Sequence, residues 1–97
     1  MPYIKQSQRD DWKIILYDLI NQLNDVKMIH PEDFAGNLNY VFSKTLKEVA
    51  TKRNVAFKPG YRFYNEIMGV LDCVKMEFYR RYVAPYEDTK IKENGDI

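Results

Sequence analysis

Arg80 and Arg81 stand side by side among Tyr79, Tyr82 and Tyr86, with Lys90 close behind. Guanidinium forks grip phosphate oxygens through two parallel donors, and tyrosines add rigid stacking surface with a polar tip. That combination is the chemistry of a site for an anionic, nucleotide-like ligand. A structural clamp competes with it, because Glu77 precedes Arg81 by four residues, the spacing of an ion pair along a helix. Glu87 and Asp88 stand close enough in sequence to neutralise Arg80 in the same way. Asn37, Asn39 and Tyr40 would face this region if their helix packed antiparallel to the one carrying the arginines. Amides placed so serve either a hydrogen-bond network or the polar edge of a ligand.

A secondary basic and aromatic patch comprises Lys52, Arg53, Lys58, Tyr61 and Arg62, extended by Lys44, Lys47, Phe57, Phe63 and Tyr64. Cations for phosphates and rings for bases are the ingredients of nucleic-acid or nucleotide binding. The plainer account has the cations complementing a helix C-terminus while the rings close a core.

Metal and nucleophile chemistry find less. His30 stands alone beside Pro31, without a partner at ligand spacing, and reads as a surface or hinge histidine. Glu66 and Asp72, six apart, fall on different sides of a helix; Glu66 and Glu77 share a face but lie turns apart. A carboxylate metal site would need another helix, so no metal and no cofactor are expected. Cys73 sits in an apolar stretch with no histidine near in sequence, the setting of a buried spacer rather than a nucleophile. No catalytic residue is assigned.

The elements that must position these groups are helical. Trp12, Ile15, Leu16, Leu19, Leu23 and Val26 recur at three- and four-residue steps and predict a first helix over about residues 8–26. Ser7 with Asp10 reads as a variant capping box. Pro31 with Glu32 and Asp33 looks like a first helical turn, Gly36 and Asn37 offering another start, and Leu38, Val41, Phe42, Leu46 and Val49 carry a second helix over about residues 32–52. Pro59 and Gly60 give the strongest turn signal.

A third helix follows over about residues 61–83, with Tyr64, Ile67, Leu71, Val74, Phe78 and Tyr82 in one stripe and Met68, Gly69, Cys73, Met76 and Tyr79 in a softer one beside it. So wide an apolar arc on a small bundle marks a central helix or a subunit interface. Pro85 predicts a kink or stop near Val83. Glu87 and Asp88 early, with Lys90 and Lys92 late, predict a short element over about residues 85–94. Tyr86 and Ile91 are the apolar anchors available to hold it.

The whole chain has 97 residues, enough for a single domain. Fifteen Lys and Arg against fourteen Asp and Glu leave a formal charge of +1, too little for global attraction to nucleic acid or acidic membrane. One cysteine excludes an internal disulfide, and no apolar run reaches the length of a membrane span. With a polar N-terminus unlike a signal peptide, the expected setting is cytoplasmic.

The stretches MPYI, GNLNYVFSK and YNEIMGVLDCVKMEFYRRYVAPYEDTKIKENGDI together resemble a family of small uncharacterised proteins met in bacteria and tailed phages. Its members share a Gly-Asp-Leu-Asn-Tyr pattern and a long terminal block. Asn37 replaces the aspartate of that pattern and Asp72 stands where glutamate is common, while the basic loop from Lys52 to Arg62 lies outside it. The resemblance implies no activity; it implies that the C-terminal block belongs to the functional body.

The expectation is therefore an all-α domain of three principal helices and a short fourth element, a homo-oligomer through the third helix. Its expected work is sequestering a nucleotide-like, phosphate-bearing ligand, in a phage setting a host immune signal. The alternatives are a module that binds and inhibits a host protein and, behind it, a small metal-dependent nucleotide-processing enzyme using Glu66, Asp72 or Glu77. Direct nucleic-acid binding ranks last, and no membrane is involved.

Overall fold

The computed structural model describes residues 3–57 and 60–97, with the side chains of residues 54–57 left outside the description. Every regular element among them is helical. The helices are α1 (Gln6–Asp10), α2 (Lys13–Leu23), α3 (Phe34–Phe57), α4 (Tyr61–Phe78) and α5 (Ala84–Asn94). A 3-10 turn (Pro31–Asp33) leads into α3, and a π-helical turn (Tyr79–Val83) joins α4 to α5. None of the helices among the described residues is long and apolar enough to cross a membrane.

The chain divides into two compact units, one holding α1 to α3 and the other α4 to α5. In the first, the predicted opening helix is broken. Residues 11 and 12 form a turn between α1 and α2, with Trp12 at φ −101° and ψ −9°. Asp10 closes α1 and reaches forward to Lys13 Nζ at 2.7 Å. A carboxylate at that point favours the positive end of a new helix over the negative end of the old one. The cap is not the Ser7 and Asp10 pair: Gln8 Oε1 accepts from the Lys5 backbone N–H at 3.3 Å, and Arg9 Nε donates to the Ile4 carbonyl at 2.8 Å.

Between α2 and α3, Asp25 organises the turn. Its Oδ1 accepts from the Lys27 N–H at 3.0 Å, and its carbonyl takes the Ile29 N–H at 2.9 Å. His30 is extended, as a residue before proline must be, and Pro31 opens the 3-10 turn where its missing N–H costs nothing. Gly36 and Asn37 do not start a helix; Asn37 Nδ2 instead donates back to the Asp33 carbonyl at 2.9 Å. The hairpin covers Leu19, Leu23, Ile29, Leu38 and Val41 to the half-buried level.

In the second unit, α4, the π turn and α5 form one unbroken helical run through Pro85. Proline in a helix removes a donor and presses its ring on the carbonyl a turn before. The π turn relieves this, with the Ala84 N–H reaching five residues back to the Tyr79 carbonyl. The C-terminal element thus continues the helix rather than packing back upon it. Tyr86 and Ile91, the expected anchors, remain exposed. Its order comes from helix propagation and local pairs such as Lys90 Nζ to Glu93 Oε2 at 3.1 Å.

Gly95 ends the run at φ 88° and ψ 154°, a conformation essentially reserved for glycine, and its N–H caps the Ile91 carbonyl at 2.8 Å. Gly95→Ala is expected to open that last bond. Amide exchange at position 95 should quicken at least tenfold while the α4 amides stay unchanged, which hydrogen-exchange NMR reads directly.

No described side chain is fully buried. Packing of an apolar face supplies most helical stability in proteins.

Candidate functional site

The groove that gathers the most chemistry runs along the C-terminal half of α4 into the π turn. Val70, Cys73, Val74, Glu77, Phe78, Arg81 and Tyr82 line about 360 Å³ of it. The spacing explains the membership: residues three, four, seven and eight apart share one helix face. Phe78 and Tyr82 stack obliquely, ring centres 5.0 Å apart at 31°. Glu77 and Arg81 supply the polar rim.

Glu77 is the hub. Its Oε1 accepts from Arg80 Nη2 at 2.8 Å and from Arg81 Nε at 2.5 Å. The pairing with Arg81 follows from four-residue spacing, and the added grip of Arg80 comes from the three-residue spacing that the sequence reading passed over. Glu77 is more shielded than either arginine, its side chain 23% exposed. Two guanidinium groups thus converge on one anionic oxygen at the end of an apolar groove.

Across the π turn, the Tyr79 hydroxyl donates to Glu87 Oε2 at 3.0 Å. That bond, and the Glu87 charge behind it, hold the Tyr79 phenol above its ordinary value of 10.0. A group raised in the folded state adds stability while protonated, so this contribution is complete below pH 10 and disappears as pH rises through the higher folded value. In an ultraviolet titration, Tyr79→Phe is expected to remove a step that lies above the ordinary phenol range.

Lys90 Nζ lies 5.5 Å from the centre of the Tyr86 ring, a cation over a π face, besides its bond to Glu93. Asn37, Asn39 and Tyr40 belong to the first unit. There Asn39 Oδ1 accepts from Ser43 Oγ at 2.9 Å, and Tyr40 stays exposed. Lys44 pairs with Glu48 at 3.0 Å, a hydrogen bond that draws the Glu48 carboxyl below its ordinary range and lifts the Lys44 amine. Within the secondary patch, Arg62 Nε faces Glu66 Oε1 at 3.6 Å in the second unit. Lys52 and Arg53 are exposed on α3, and Tyr61 is exposed on α4. Lys58, Pro59 and the Phe57 side chain lie outside the described residues.

Cys73 overturns one expectation. The apolar surroundings mark it as a buried spacer, yet it is exposed on the groove wall, because the stripe around it is itself uncovered. Among the described residues, no group of three or more His, Cys, Asp or Glu side chains is arranged to hold a metal ion.

A family model described as "Domain of unknown function (DUF6899)" matches the chain over residues 1–97. No curated protein and no solved structure matches it.

Proposed function

We propose that this chain, which belongs to that family of domains of unknown function, is an oligomeric binding protein that takes a nucleotide-like, phosphate-bearing ligand where the α4 groove meets the π turn. The convergence of Arg80 and Arg81 on Glu77 Oε1 carries the reading. A carboxylate oxygen held by two guanidinium groups stands where a phosphate oxygen would, and phosphate offers further acceptors to the same forks. The Tyr82 ring beside it, at the arginine end of the groove, supplies a stacking surface for a base. In a phage setting, such capture would withdraw a nucleotide signal from a host effector.

Calorimetry against linear and cyclic nucleotides tests it. Arg80→Ala is expected to weaken binding at least tenfold, in line with about 1.5–3 kcal/mol for a charged hydrogen bond. Glu77→Gln removes the internal competitor for the arginines and should strengthen binding several-fold, at a stability loss below about 1 kcal/mol for pairs this exposed. Heat-silent titrations across the whole nucleotide panel would refute the reading.

A second reading, a module that binds and inhibits another protein, is favoured by the exposed apolar length of α4 ahead of the arginines. In that case Arg80→Ala lowers affinity for a protein partner while no small ligand binds.

A further inference from the structure

The apolar face of α4 has a seven-residue repeat. Tyr64, Leu71 and Phe78 stand seven apart, and so do Ile67, Val74 and Arg81, interleaved at three and four. These are the two seam positions of a coiled coil, flanked by Phe63, Val70 and Glu77 on one side and by Met68, Lys75 and Tyr82 on the other. The seam is exposed: Val74 keeps 52% of its surface in water and Phe78 59%. From these residues we infer that a second copy of this chain covers the seam, α4 lying antiparallel on α4. The inference deepens the oligomeric part of the proposed function, and since Val70, Val74 and Phe78 line both seam and groove, a second copy there leaves the arginine end with Tyr82 for the anion.

Area fits this occupant, and charge sets its direction. Seven or eight side chains exposing about half of their surface offer on the order of 700 Å² per copy, close to the roughly 800 Å² that each partner buries in a stable complex. Direction follows from Arg81. A parallel, in-register pair sets Arg81 against its own copy inside the seam, which costs like-charge repulsion and desolvation together.

The antiparallel pair removes that conflict. With Leu71 opposite the partner's Val74, Phe78 falls opposite Ile67 and Arg81 opposite Tyr64 at both ends. The guanidinium then lies over an aromatic face, while its in-plane donors remain directed at Glu77 or at an anion that replaces it. All contacts repeat by the two-fold axis, as a closed dimer requires.

Sedimentation of the native chain and site-directed disulfides test the inference together. Two variants, Leu71→Cys and Val74→Cys, are each made in a Cys73→Ser background. An equimolar mixture oxidised at neutral pH should give the mixed 71 to 74 cross-linked dimer as its main product. Either variant alone should cross-link at least tenfold less. Strong self-linking of Val74→Cys alone means a parallel pair and overturns the inference. A native chain that sediments as a monomer up to about 100 µM, well above the micromolar range of ordinary complexes, overturns it too. A native dimer whose mixture fails to cross-link overturns the register. Nucleotide binding by calorimetry is read separately, so loss of the ligand reading leaves this result intact, and the reverse.

Discussion

Val74→Asp is expected to separate the pair, weakening association more than a hundredfold. Val74 sits at the middle of the α4 seam, half exposed in the single chain and opposite Leu71 of the second copy. A carboxylate there must lose its water on association, with Lys75 on the flank as the nearest cation. An unpaired buried charge or polar group costs several kcal/mol, and two-fold symmetry imposes the cost twice. Met76, on the same helix and also exposed, points away from the seam and serves as the control. Met76→Asp should change association by less than about 0.5 kcal/mol, as surface substitutions do. Sedimentation velocity at matched concentrations reads both variants.

Phe78→Ala carries the next largest effect. Its ring is 59% exposed in one chain and touches only Tyr82 at 5.0 Å among the described rings. In a chain standing alone, truncation would remove little more than that contact, about 1 kcal/mol. Covered by Ile67 of the second copy, the ring is a core residue, and truncation costs about 3–5 kcal/mol for each site. The midpoint of chemical unfolding should fall accordingly, and the midpoints of both native and variant chains should drop further on dilution. A loss near 1 kcal/mol at every concentration would mean that nothing covers the ring.

Much of the helical layout could be read from the sequence. Pro31 after an extended His30, the Leu38 to Val49 repeat, and the Tyr64 to Phe78 stripe each combine a local signal with a long period. Such elements are legible because backbone preference and apolar pattern agree. The carboxylates of Asp10 and Asp11 suit the positive end of a helix, and that preference belongs to α2 rather than α1. The periodic stripe begins only at Trp12, so no repeat crosses residues 11 and 12 to register the break. Proline at position 85 signalled a kink, but a π turn absorbs the same clash without stopping the helix.

The candidate site was legible to the same degree. Four-residue spacing announced Glu77 with Arg81. The capture of Arg80 by the same oxygen depends on side-chain reach in three dimensions, which spacing leaves open. Exposure of Cys73 could not be read at all: an apolar stripe looks alike in sequence whether its own chain or another chain covers it.

Thermal unfolding of the native chain across a hundredfold range of concentration tests the central claim most directly, that folding is completed by a second copy on α4. A dimer gains about 1.4 kcal/mol of stability for each tenfold rise in concentration. For two chains of 97 residues unfolding together, that predicts a rise of about 3 °C in Tm per tenfold. A Tm independent of concentration over the same range would contradict it, and would mean that the face of α4 is covered within one chain or left in water.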